Sequence, residues 1–267
     1  SKDRLQAKFI GKPEDLEEIK RDIAKFGYKV CGPYRGYAKS EVTYTNNEKR
    51  TIEGYSYQIV IPSLGLPLLF YAMGAPFGNK SKIKFEVPSW LFDTPLWIKR
   101  LYLAGFFGAE LNKPSNPKRE GYRFRNPLLS INKLEKLKPN GYEFLNQISR
   151  LLEEFNVKAV KTTELNGVIT KKGEKTVKLR LKLSSKKNNL INLWSKIGFE
   201  YCQERRILSS HALQYLNFEK NSIKSESILT GIPESKLLIT SHGYRVNSEI
   251  VPFANFLTTH KLNPPTP

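Results

Sequence analysis

The stretch Thr176-Val177-Lys178-Leu179-Arg180-Leu181-Lys182-Leu183-Ser184 alternates without a break between apolar and polar residues. Successive side chains of a β-strand point to opposite faces, so this pattern predicts a strand with four aliphatic side chains on one face. Lys178, Arg180 and Lys182 share the other face, with a spacing of about 7 Å per two residues. A strand with one apolar and one cationic face is typical of an antiparallel sheet that covers a core on one side only.

The same alternation returns in YRFR at 122–125 and, more weakly, in RLQAK at 4–8. Cationic side chains spaced along a strand can follow phosphates, and long Arg, Lys and Gln side chains reach base edges in the major groove. A solvated sheet face is the alternative for any one strand. Together with the Asn-Lys pair at 132–133, these strands predict a nucleic-acid-binding surface formed by Arg4, Gln6, Lys8, Arg123, Arg125, Lys133, Lys178, Arg180 and Lys182.

The charge of the chain favours the same kind of partner. Its 267 residues include 44 Lys and Arg against 25 Asp and Glu, a net charge of +19, which points to nucleic acid first and an anionic membrane surface second. Two cysteines and three histidines argue against a disulfide scaffold and a zinc site, so we expect a reducing, cytoplasmic compartment. No apolar run is long enough to span a membrane.

An internal repeat predicts two related halves. The order strand, helix, strand, strand, helix occurs once between 4 and 74 and again between 128 and 198. Phe26 and Phe155 end the first helix of each unit, and Gly74 and Gly198 close the second; these pairs are 129 and 124 residues apart. A nearly constant offset over several elements predicts a duplicated α+β fold, with chance similarity of two α+β stretches as the alternative.

The most informative helix is predicted over 99–111, where small residues lie between large apolar ones. Gly105 and Ala109 are four residues apart on one helix face, which lets a second helix approach closely. Glu110 follows at the C-terminal end, where the helix dipole disfavours a carboxylate. A carboxylate below two tightly packed helices can hold a hard divalent cation, and an ordinary buried helix with a terminal Glu is the alternative.

The stretch LYLAGFFGAEL at 101–111 resembles the signature of the LAGLIDADG homing endonucleases, of the archaeal intein-associated or free-standing type. Leu103, Ala104, Gly105 and Ala109 match the signature, whereas Gly108 and Leu111 depart from it. The resemblance implies pseudo-symmetric αββαββα-type halves that form a basic antiparallel β saddle over double-stranded DNA. It further implies a sequence-specific endonuclease that hydrolyses phosphodiester bonds with Mg²⁺ or another divalent cation, and it makes Glu110 the catalytic metal ligand.

This resemblance divides the chain into three parts. A first half covers 1–95, a second half with the signature helix covers 96–220, and 221–267 form a small helical C-terminal extension. The repeat offset places the first signature helix upstream of Ser1, so a missing N-terminal segment or a self-association partner is expected to supply it. The alternative function is a non-catalytic, LAGLIDADG-derived DNA- or RNA-binding protein, such as a regulator or splicing helper.

Overall fold

The computed structural model describes residues 6–43, 49–115, 123–170 and 173–230. Its strands are β1 Ala7–Gly11, β2 Cys31–Thr43, β3 Lys49–Ile61, β4 Leu128–Leu134, β5 Ala159–Ile169 and β6 Lys175–Leu183. Its α-helices are α1 Pro13–Lys25, α2 Gly65–Ala72, α3 Leu96–Glu110, α4 Lys138–Glu153, α5 Lys187–Asn192 and α6 Gln203–Thr230. Short 3₁₀ turns cover Ser89–Asp93 and Glu135–Leu137, and a π-helical turn covers Leu193–Ile197.

The strands form two three-stranded antiparallel sheets with orders β1-β3-β2 and β4-β6-β5. In each sheet the last strand in the chain lies between the other two, and each sheet comes from the element order β, α, β, β, α. The repeated order read from the sequence is therefore present as secondary structure. Superposition of the two halves and a saddle built from both sheets stay predictions.

The larger core lies against one face of the β4-β6-β5 sheet. Val177, Leu179, Leu181 and Leu183 of β6 are buried there, and burial of each aliphatic side chain contributes about 1.5–3 kcal/mol. Helix α4 covers this face with apolar residues at helical spacing, and it packs so closely that a Cβ on Gly141 would come within 2.6 Å of Leu179. Helices α3 and α6 and the π-helical turn complete the core.

The first half has a much smaller core. Ile23 of α1, Ile61 of β3 and Leu66 of α2 form its buried cluster. Because β1 is short, it pairs with β3 only from Tyr57 to Ile61, whereas β2 stays paired with β3 as far as Thr43 and Lys49. The β2–β3 hairpin therefore extends well past the three-stranded part of its sheet.

The structure differs from two expectations about the elements. A strand was predicted at 122–125, but the described part, 123–125, is irregular. Phe124 is buried against Trp194 and Tyr215, and this one apolar residue between two arginines produced the strand-like alternation. The boundary predicted at 220 falls inside α6, which runs from Gln203 to Thr230 with no glycine or proline to stop it. Arg4 and the C-terminal extension beyond 230 lie outside the described residues. Within the described part of the chain, no helix is long and apolar enough to cross a membrane.

The first half is joined to the start of α6 by polar contacts. The Asp15 carboxylate accepts a hydrogen bond of 2.7 Å from the backbone N–H of Gln203, so a residue of α1 caps a helix that begins 188 residues later. Glu204 forms ion pairs with Lys12 at 2.9 Å and with Lys113 at 2.7 Å. These hydrogen bonds from two ammonium groups lower the pKa of Glu204 to about 2.

We predict that Glu204→Gln weakens the fold at neutral pH by about 1 kcal/mol, a typical contribution of partly exposed ion pairs. Because the folded pKa lies below the unfolded value near 4.5, the contribution of Glu204 is fully present above that pH. It is lost as the pH falls towards 2. Urea unfolding at several pH values should therefore show a steeper acid loss in the wild type than in the variant.

Glu53→Gln is the matched control, because Glu53 pairs with Lys39 on the exposed hairpin, away from α6. It should leave the acid dependence of unfolding unchanged. Parallel curves for the wild type and Glu204→Gln between pH 4.5 and 2 would contradict the role assigned to Glu204.

Candidate nucleic-acid interface

The face of the β4-β6-β5 sheet that points away from the core carries the predicted basic row. Lys178, Arg180 and Lys182 are half-buried on β6, between β4 and β5, and the aliphatic residues that alternate with them are buried on the opposite face. Their flanking residues are uncharged on the β4 side, where Asn132 and Ser130 lie opposite Lys178 and Arg180. The three cations thus lie along the middle of one open sheet face.

Strand β5 adds a cation that sequence reasoning missed. Lys161 lies directly opposite Lys182, and Thr163 lies opposite Arg180. The register of β5 shifts between Ala159 and Lys161 and again after Asn166, so the face of each β5 residue could not be read from alternation. We call Lys161, Lys178, Arg180 and Lys182 the cationic face.

The charges of the cationic face are uncompensated within the described residues. None of its four side chains has an ion-pair partner there, whereas Lys175 at the start of β6 and Lys138 at the start of α4 pair with Glu135 and Glu164. The buried Nε of Arg180 also has no hydrogen-bond partner among those residues. Like charges placed directly opposite on neighbouring strands, such as Lys161 and Lys182, are destabilising. An anion bound to this face would relieve that repulsion.

Lys133 was predicted to bind nucleic acid, and the structure places it away from the cationic face. Its side chain is completely buried on the core side of β4, the side that also holds Leu129 and Ile131. The Nζ donates hydrogen bonds to the backbone oxygen of Ile83 at 2.7 Å and to Oδ1 of Asn140 at 3.0 Å. The alternation of β4 predicts this burial, because Lys133 is two positions after Ile131 and therefore shares its face.

The buried environment of Lys133 affects the pKa of its ammonium group. Its Nζ lies 3.7 Å from the centre of the Phe85 ring, and burial lowers its pKa to about 8. Asn140 holds the same segment by accepting from the N–H of Phe85 and donating to its carbonyl oxygen. Lys133 and Asn140 therefore hold the segment around Ile83 and Phe85, which connects the two halves, against β4 and α4.

We predict that Lys133→Met lowers stability by about 1–3 kcal/mol, because buried oxygen atoms lose a donor. The wild type should also gain stability relative to this variant between pH 8 and about 10.5. In that window the unfolded chain still binds the proton that the folded chain has released. Urea unfolding at pH 7, 9 and 10 checks the trend, and a relative loss with rising pH would contradict it.

Glu110 lies at the C-terminal end of α3, and its carboxylate forms an ion pair of 2.9 Å with Lys80. Within the described part of the chain, no group of three or more His, Cys, Asp or Glu side chains could hold a metal ion. Glu110 thus has a lysine as its ion-pair partner. Its role as a metal ligand stays a prediction without support from the described neighbours.

The small residues of α3 have a partner inside the chain. The N–H of Glu200 donates to the carbonyl oxygen of Ala104 at 3.0 Å, and a Cβ on Gly108 would collide with the backbone oxygen of Glu200. Part of the small-residue pattern thus admits the segment before α6 rather than a second signature helix. A Cβ on Gly105, by contrast, would have no atom of the described residues outside its own helix within 4 Å.

The remaining candidates do not join the cationic face in one sheet. Lys8 is exposed on β1, in the other sheet, and Gln6 is half-buried just before that strand. Arg123 and Arg125 are exposed on either side of the buried Phe124. Their binding of nucleic acid stays a prediction.

The chain is similar to segments of much longer proteins. It is 33% identical over 232 residues to tRNA-splicing ligase RtcB of Pyrococcus furiosus, which covers 84% of this chain and 22% of that protein. It is 29% identical over 220 residues to RNA polymerase subunit Rpo1N of Methanocaldococcus jannaschii, covering 82% of this chain and 16% of that protein. With the replication factor C small subunit of the same organism it shares 27% identity over 188 residues, 70% of this chain and 9% of that protein.

Further relatives carry the ligase name, and no family model matches the chain. These findings contradict the resemblance to LAGLIDADG homing endonucleases, because the relatives are named for RNA ligation, transcription and replication. The proposed DNA endonuclease, its non-catalytic LAGLIDADG-derived alternative and the link to inteins fall with that resemblance. The signature match rested on α3, where the structure gives Ala104 and Gly108 contacts of their own.

Proposed function

We propose that this chain binds RNA through its cationic face, as one part of a larger RNA-joining enzyme of the kind for which its ligase relatives are named. The chain spans about a fifth of the length of the ligase relative from Pyrococcus furiosus. The activity of the larger protein is therefore part of the proposal. The observation that carries the RNA-binding role is the row of four cations without ion-pair partners among the described residues.

The range of relatives supports a binding role for the shared segment. The same chain matches a tRNA-splicing ligase, an RNA polymerase subunit and a replication factor, each over a small share of its length. These names describe different activities, and work on nucleic acids is common to all of them. Binding of nucleic acid is therefore the contribution that fits every relative.

Exposed apolar residues on α2 and α3 support a place within a larger assembly. Leu68, Leu69 and Tyr71 of α2 are exposed, and Trp97 and Leu101 of α3 are exposed as well. Large exposed apolar surface on a soluble domain marks a site of contact with another polypeptide. These residues lie on different elements from the cationic face.

RNA and double-stranded DNA are the two ligands to compare. The ligase name favours RNA, and an open sheet suits single-stranded segments, since the major groove of A-form RNA is too narrow for side chains. Double-stranded DNA is the partner expected from the net charge and the strand pattern. Both would contact the cationic face through phosphate oxygens, which makes the salt dependence of binding informative.

We predict that the triple variant Lys178→Gln, Arg180→Gln, Lys182→Gln binds a fluorescein-labelled oligouridine more weakly than the wild type. For single strands, each lost phosphate contact lowers the slope of log Kd against log salt by about 0.7, so the slope should fall by about 2. Fluorescence anisotropy at several salt concentrations measures it. The same titration with a DNA duplex of equal length compares the two ligands.

A matched control removes three cations from another surface. Arg21, Lys25 and Lys29 are exposed on and after α1, so their change to Gln lowers the net charge equally. The control should keep the salt slope of the wild type. An equal loss of RNA affinity in both triple variants would show that net charge alone causes the effect. Tighter binding of duplex DNA than of RNA would show that DNA, and not RNA, is the ligand.

The second candidate function is RNA joining by this chain itself, which the names of several relatives favour. The test incubates the chain with two halves of a cleaved tRNA and separates the products on a denaturing gel. A joined product that is lost in the triple variant would place ligase activity on this chain. Binding without joining would leave the chain as the RNA-binding part.

A further inference from the structure

The outer part of the β2–β3 hairpin is a two-stranded ribbon. From the pair Gly36–Ser56 to the pair Thr43–Lys49, no third strand of the described residues pairs with it, so about 25 Å of ribbon extends past the sheet. Its pairing is regular beyond Tyr34, so directly paired residues share a face. A ribbon of this kind holds its side chains in fixed positions by cross-strand contacts rather than by a core.

Aromatic and cationic side chains cluster on one face of the β2–β3 hairpin, where this ribbon begins. Tyr37 lies opposite Tyr55, with ring centres 5.3 Å apart, and the guanidinium of Arg35 lies 3.5 Å from the centre of the Tyr55 ring. Both tyrosines are mostly exposed, at 59% and 61%. We call Arg35, Tyr37 and Tyr55 the tyrosine platform.

The charge next to these rings favours an anionic partner. Lys39 and Glu53 on the same face form an ion pair of 3.3 Å and neutralise each other. Arg35 has no carboxylate partner among the described residues. Its flat face is against Tyr55, so its N–H groups at the edge remain able to donate to a phosphate oxygen.

The tyrosine platform supplies a contact that the cationic face lacks. Single-stranded nucleic acids are held by cations along the backbone together with aromatic rings on which bases stack. The cationic face and its cross-strand neighbours Ser130, Asn132 and Thr163 include no aromatic residue. Tyr37 and Tyr55 supply exposed rings, and Arg35 beside them has no ion-pair partner among the described residues.

We infer that the tyrosine platform binds unpaired bases of a single RNA strand by stacking, with Arg35 donating hydrogen bonds to a phosphate of that strand. This inference rests on the proposed RNA-binding function and adds the class of RNA that the chain prefers. A duplex keeps its bases stacked inside and offers them no such contact. The chain should therefore discriminate single-stranded from double-stranded RNA through Tyr37 and Tyr55.

The test uses the full chain and two labelled probes, an oligouridine of about 20 nucleotides and an RNA duplex of equal length. Tyr37→Ala and Tyr55→Ala should each raise the Kd for the single strand about tenfold and leave the Kd for the duplex within about twofold. Tyr37→Phe keeps the ring and should restore binding. An oligonucleotide containing 2-aminopurine, whose fluorescence falls when it stacks, should be quenched by the wild type and not by Tyr37→Ala.

Tyr34→Ala is the matched control, because Tyr34 is comparably exposed on the opposite face of the same hairpin. It should bind both probes as the wild type does. Since loss of a ring also weakens the cross-strand pair, Tyr37→Leu keeps an apolar side chain there and should still lose the 2-aminopurine quenching. Equal losses in Tyr34→Ala, or unchanged single-strand binding in Tyr37→Ala and Tyr55→Ala, would overturn the inference.

The same titrations separate this inference from the proposed function. If the cationic-face triple variant loses RNA while the tyrosine variants keep it, only the platform is wrong. If the wild type binds neither RNA probe, both proposals fail. A shift in the oligomeric state of Tyr37→Ala on a sizing column, with unchanged RNA binding, would assign the platform to a second copy of the chain.

Discussion

The burial of one face of β6 is the constraint on which the rest of the second half depends. Val177, Leu179, Leu181 and Leu183 can reach the core only if the residues between them point outwards. A shift of one residue in the pairing would bury three cations and expose four aliphatic side chains. The register of β6 with β4 and β5 is therefore strongly fixed. The same constraint that builds the core places Lys178, Arg180 and Lys182 on the open face.

This constraint explains what could be predicted from the sequence and what could not. The alternation of apolar and polar residues predicted β6 and its basic row. The same alternation in β4 places Lys133 on the buried face, although the charge of Lys133 favoured an exposed position. Alternation failed at 122–125, where a single buried ring, Phe124, produced a strand-like pattern in an irregular segment. Alternation could not predict which face of the sheet carries Lys161, because the sequence of β5 does not reveal the shifts in its register.

The signature in α3 shows a different limit of sequence reasoning. Small residues at helical spacing report that something approaches the helix closely, but not what it is. At Ala104 and Gly108 the answer is the backbone at Glu200, which comes from the same chain. Glu110 has likewise found a lysine partner in Lys80. A short pattern of small residues can therefore show that another segment packs closely against a helix. It does not show which segment that is, and so it does not determine the function.

The hydrogen bond from Gln203 to Asp15 has a consequence for the order in which the chain acquires its structure. The N–H that Asp15 accepts from belongs to Gln203, which is synthesised 188 residues after Asp15. At synthesis rates of about 5–20 residues per second, α1 waits roughly ten seconds or longer before its carboxylate can meet that group. Closing so long a loop adds an entropic cost that local contacts cannot offset early. The attachment of the first half to α6 is thus a late event, and the first half must persist until then on its own small core.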